Sequence, residues 1–146
     1  MKTNITRILF FVLTIGSLAA CGPQASATPA AQGDNPYAAQ ASDSELMRGD
    51  VTIDSSSLAV GESQPPQVTL NFAYSQPTPC YQLRVEVSQP DTQKRIDVTT
   101  YAVAEKDKPC SLMALATPLQ ASLDLGSYPP GHYSVWLNGT EVGEFD

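Results

Sequence analysis

Beyond residue 46 the apolar residues recur at every second position, and this period excludes a helical bundle. Val68-Thr69-Leu70-Asn71-Phe72-Ala73-Tyr74 alternates in this way, as do Tyr81–Val87, Leu119–Leu125 and Tyr133–Leu137. Period two sends successive side chains to opposite faces of a strand, so each run has one face to bury and one to leave wet. Ile96–Val103 is rich in β-branched and aromatic residues on both faces. Turn residues separate the runs: Pro65-Pro66, Pro77-Thr78-Pro79, Pro90-Asp91 and Tyr128-Pro129-Pro130-Gly131. Asn138-Gly139 predicts a two-residue type I′ hairpin, which needs positive φ twice. That hairpin joins Tyr133–Leu137 to a last strand over Thr140–Phe145. Asp50–Ile53, continued by Ser57–Val60 or separate from it, brings the count to seven or eight strands. Ser111–Thr117 is the one stretch that suits a helical turn, stopped by Pro118. Short strands at this density predict an all-β fold, an antiparallel β-sandwich over residues 46–146. Its predicted core is Leu70, Phe72, Val85, Leu123, Tyr133 and Val135.

The segment Leu125-Gly126-Ser127-Tyr128-Pro129-Pro130-Gly131-His132-Tyr133-Ser134-Val135 resembles the end of immunoglobulin-like and fibronectin-III-like domains. There a glycine-rich corner precedes a tyrosine two residues before an inward strand position. The resemblance implies an immunoglobulin-like sandwich; a fold of this kind hosts many functions and names none.

The start of the chain reads as an address. Lys2 and Arg7 form a positive n-region, and Ile8–Ala20 is an uncharged run of thirteen residues. A spanning helix needs about 20 apolar residues, whereas this length suits a signal-peptide h-region. Leu18-Ala19-Ala20-Cys21 resembles the lipobox of bacterial lipoproteins. The resemblance implies cleavage before Cys21 and attachment of lipid to its thiol. Two or three acyl chains would hold firmly, since each buried CH₂ contributes about 0.8 kcal/mol. Residues 1–20 are thus expected to be a signal peptide. The location this implies is the cell membrane, lipid-anchored and facing the extracytoplasmic side.

Three cysteines in an exported chain leave one unpaired. With Cys21 lipidated, Cys80 and Cys110 remain and can pair in an oxidising compartment. Closing their loop would contribute about 3–4 kcal/mol in the chain-entropy account. Residues 21–45 contain alanine, polar residues and three prolines, with Tyr37 as the only large apolar side chain. Such a stretch is expected to be a flexible tether.

Charge narrows the partners. The chain has 8 Lys+Arg against 15 Asp+Glu, and loss of Lys2 and Arg7 with the signal would leave a net charge of -9. Nucleic acid is not an expected partner, because phosphate backbones need clustered cations. Anionic headgroups would repel the domain, so lipid rather than charge must provide the membrane contact. An envelope protein or polysaccharide is the partner that the anchor would bring within reach.

Catalytic material is sparse. His132 is the only histidine and follows a turn at a strand start. No G-x-S-x-G elbow and no D-x-[DN]-x-[DN]-G calcium loop occurs, so no catalytic residue, metal or cofactor is expected. Features that suit binding are few but definite. The loops Ser75–Cys80 and Ala104–Cys110 both end in Pro-Cys, placing Pro79 and Pro109 beside the expected cross-link. Trp136, with His132 and Ser134, falls on the face opposite Tyr133, Val135 and Leu137. Tyr101 alternates out of phase with Ile96 and Val98, which leaves it exposed unless a bulge turns it inward. The expected function is a lipid-anchored, non-enzymatic binding or structural module of the cell envelope. The alternative is an inhibitor of an extracellular protease or hydrolase acting through its cross-linked loops; an enzyme ranks third.

Overall fold

The structure, a computed structural model, describes residues 33–110 and 118–146. Cys21, the signal segment, the first part of the expected tether and Ser111–Thr117 lie outside the described residues. A 3-10 turn at Ala41–Glu45 precedes eight strands: β1 Met47–Gly49, β2 Thr52–Val60, β3 Gln67–Ser75, β4 Gln82–Val87, β5 Arg95–Ala104, β6 Leu119–Ser127, β7 Tyr133–Leu137 and β8 Thr140–Phe145. Each alternating run of the sequence is a strand. Asp50–Ile53 and Ser57–Val60 fall largely in one continuous β2.

The strands form two sheets. One has three strands in the order β2-β3-β6. The other has five, centred on β5. β4 pairs with one edge of β5, while β1 and β7 share the other, β1 against 102–104 and β7 against 95–98. β8 completes this sheet outside β7. Every pair is antiparallel except β5–β7, which is parallel. The fold is a β-sandwich of eight strands.

Alternation decides which face meets which. Val68, Leu70 and Phe72 of β3 meet Ile96 and Val98 of β5, Leu123 and Leu125 of β6, and Val135 of β7 in one core. All six predicted core residues are buried. Burial of a Leu, Val or Phe side chain contributes about 1.5–3 kcal/mol, which makes this layer the main source of stability. At one end Tyr128 and Tyr133 gather around Phe145, with Tyr133 and Phe145 stacked at 5.1 Å between centroids. The buried Tyr128 hydroxyl donates to the Leu125 carbonyl at 2.9 Å and closes the corner after β6. Burial is the main cause that pushes its pKa up to about 12.

The Asn138-Gly139 turn forms as expected, with φ of 48° and 81°. Asn138 also ties the hairpin to β5. Its side chain accepts the Thr100 N–H and donates to the Thr100 hydroxyl, both at 2.8 Å, and its own N–H donates to the Val98 carbonyl. These bonds take over where the β5–β7 ladder ends.

Candidate functional site

Residues 33–45 do not behave as the tether expected from their composition. They form a strap laid across the five-stranded sheet. Asn35 starts it: its carboxamide oxygen accepts the Tyr37 N–H at 3.0 Å, and its Nδ2 donates to the Val85 carbonyl at 2.9 Å. The Val85 N–H in turn donates to the Tyr37 carbonyl at 2.8 Å. The outer edge of β4 is therefore paired with this segment at Val85, and the Tyr37 ring packs on the core. Composition alone missed this because the energy resides in polar contacts remote in sequence.

The next anchor is ionic. Asp43 accepts from Arg84 Nε at 2.7 Å and from Nη2 at 3.0 Å, a bidentate pair whose side chains are 10% and 7% exposed. The Arg84 guanidinium, followed by the Gln40 N–H, holds the Asp43 carboxyl below its ordinary pKa. Arg84 also donates to the Leu83 carbonyl and the Gln82 side chain. A charged group removed from water needs this degree of satisfaction. The strap then runs into β1, where Arg48 places its guanidinium 3.6 Å from the Tyr101 ring centroid.

This covering corrects the expectation for Tyr101. The residue is 7% exposed, and no inward bulge buries it. It stays on the outer face of the sheet, opposite Arg84 in the β4–β5 register, beneath Arg48. Burial and then the Glu86 carboxylate raise its phenol pKa.

The predicted Cys80–Cys110 disulfide is present, with its Cα atoms 6.0 Å apart. The loop before Cys80 is braced from within. Gln76 Nε2 donates to the carbonyls of Thr78 and Tyr81 at 3.1 and 2.9 Å, and the Thr78 hydroxyl lies 3.1 Å from Cys110 Sγ. Between the strap and this cross-link runs a groove of about 510 Å³. Leu46, Met47, Tyr81 and Val103 give it an apolar lining, Arg84 lies in one wall, and Lys108 stands at the rim paired with Glu105. Met47 is 45% exposed, one of two large apolar side chains so open among the described residues. A second cavity of about 300 Å³ lies under the start of the strap, between β4 and the Asp124 region of β6.

The other sequence candidates are divided. Pro79 and Pro109 are exposed beside the disulfide and so flank the groove. Trp136 is on the outer face of its strand, as its alternation predicted, but half-buried. The Arg95 guanidinium covers its ring at 4.1 Å, and its Nε1 donates to the Ser134 hydroxyl. His132 is exposed, with Nδ1 3.0 Å from Asp146 and Nε2 3.4 Å from Glu144. Asp146 first and Glu144 second raise its pKa. Both ring nitrogens thus face carboxylates at the C-terminal end of the chain. No group of three His, Cys, Asp or Glu side chains suited to a metal occurs among the described residues. Sequence reasoning missed the groove's strap side, Leu46, Met47 and the Asp43–Arg84 pair. The sole local hint was an arginine at position 84 within a strand.

No family model, curated protein or solved structure matches the chain.

Proposed function

We propose that this chain is a lipid-anchored envelope protein whose sandwich is a non-enzymatic binding module, and that the groove between strap and disulfide is its binding surface. The observation that carries this reading is the cross-link itself. Cys80–Cys110 fastens two loops where they border an apolar lining that includes a 45% exposed methionine. Walls fixed before contact lower the ordering cost that any partner must meet. The Asp43–Arg84 pair already satisfies the buried cation, so specificity would come from shape, apolar contact and the Glu105–Lys108 rim. Cys21 is 12 residues from Gly33, which limits the sandwich to about 40 Å from its lipid even at full extension. A partner would thus be met close to the membrane. The exposed Pro77, Pro79 and Pro109 at the rim favour a second reading, in which the cross-linked loops enter a foreign hydrolase as an inhibitor.

The test is cross-linking in cells of the full-length chain with a photoreactive side chain at Met47, followed by mass spectrometry. The expected result is one recurrent envelope protein or polysaccharide, lost when Cys80→Ser and Cys110→Ser release the loops. Recovery of the bare chain, or the same partner in the relaxed variant, would overturn the groove as the binding surface. A captured secreted hydrolase would decide for inhibition. Intact mass of the same preparation tests acylation at Cys21.

A further inference from the structure

We propose that the outer edge of β2, over Ser55–Val60, accepts an extended lysine- or arginine-bearing segment of a partner protein as an added strand. β2 is nine residues long and pairs only with β3. Among the described residues no strand is hydrogen-bonded to its other edge, although β8 of the second sheet lies near it. A row of unpaired N–H and C=O groups of this kind is a template for another strand. Proteins commonly blunt such an edge with proline, lysine, a short strand or a bulge. β2 contains no proline, lysine or arginine. Its one irregularity lies between Ile53 and Ser55, which leaves 55–60 in unbroken register with 73–68.

The side chains leave the edge accessible. Ser55, Ser56, Ser57 and Ala59 are small and exposed, and Val60 is 45% exposed. The same molecule shows the chemistry at its opposite flank, where residues 35–37 pair with the outer edge of β4 through Val85. Charge selects the kind of occupant. Leu58 of β2 faces Gly143 of β8, so the edges of β2 and β8 lie side by side. The two strands carry Asp54, Glu141 and Glu144 and no lysine or arginine, with Glu62 and Asp146 just beyond their ends, while His132 lies against Glu144 and Asp146. A second copy would set acid against acid, whereas a basic strand would gain attraction as well as main-chain bonds.

The test uses the full chain in detergent and two fluorescein-labelled peptides. One alternates threonine, valine and lysine over nine residues, the length of β2; the other has glutamate for lysine. Anisotropy measures affinity, and hydrogen exchange locates the contact. The lysine peptide is expected to bind and to slow exchange at 55–60. The double variant Ser57→Lys, Ala59→Lys is expected to weaken it by roughly tenfold while improving the glutamate peptide. Equal binding of both peptides to the unaltered chain would overturn the proposal, as would protection at 82–84 and 103 in the groove. Absence of binding would also overturn it. Protection at 55–60 that rises with protein concentration and needs no peptide would assign the edge to a second copy instead.

Discussion

Along the β4–β6 flank of the sandwich, residues 33–38 pass from beside β6 to the edge of β4, where the Asn35 side chain and the Tyr37 carbonyl partner the main chain of Val85. Gly33 sits so close to the Asp124 backbone of β6 that a Cβ there has no room. Along the β2–β8 flank Leu58 of β2 meets Gly143 of β8 with no hydrogen-bonded pairing between the two strands among the described residues, and β2 is exposed at seven of its nine positions. Both flanks begin with the same problem, a sheet edge whose main-chain groups need partners. One is closed by the chain's own N-terminal segment, which also builds a wall of the groove. The other is left for water or a partner. Closure of an edge is thus local, and a short polar segment is sufficient for it.

Substitutions that remove core volume separate the flanks most strongly. Leu123→Ala in β6, at a fully buried position, is expected to cost about 2–5 kcal/mol in urea unfolding. Leu58→Ala in β2, half-buried, is expected to cost about 1 kcal/mol. Equal losses would mean that β2 is as much a part of the core as β6.

The strap comes next in size. Arg84→Ala removes the charged bonds to Asp43 and is expected to cost about 1–3 kcal/mol, with faster hydrogen exchange over 40–46. Lowering the pH reaches the same contact. Asp43 is held below its ordinary pKa by Arg84, so its contribution is present above the usual carboxylate range and lost as pH falls through the depressed value. Exchange over 40–46 is expected to rise below about pH 4 before the core amides follow. Asn35→Ala leaves the Val85 carbonyl without its side-chain donor, and a loss of about 0.5–1.5 kcal/mol is expected.

The smallest effect is expected on the open flank. Ser57→Lys should change stability by no more than about 0.5 kcal/mol, since its side chain is exposed. A larger loss would show that the β2 edge is closed by contacts of its own.

The two flanks also differ in how far the sequence revealed them. Strands β3, β4, β6 and β7 are legible because alternation is local and each strand has one buried face. The Asn138-Gly139 hairpin is legible because positive φ at both positions selects those residues. The Asp43–Arg84 pair is not legible, since its partners are 41 residues apart and each looks like a solvated surface charge. Tyr101 was misplaced for the same reason. Alternation sets it correctly on the outer face, but only the strap decides that this face is covered. The parallel β5–β7 pairing and the extra strand β1 depend on how the chain returns across the sheet, which periodicity does not encode. In the candidate site the disulfide end was legible from cysteine parity, and the strap end was not.

The most direct measurement is residue-resolved hydrogen exchange by NMR on the full chain in detergent at neutral pH. The Val85 amide, bonded to the Tyr37 carbonyl at the edge of β4, should be protected almost as well as the core amides of β3 and β6. The amides of β2 that point away from β3 should exchange at rates close to those of unstructured chain. Rapid exchange at Val85, or strong protection along the outer edge of β2 in the isolated protein, would contradict the account of one closed flank and one open one.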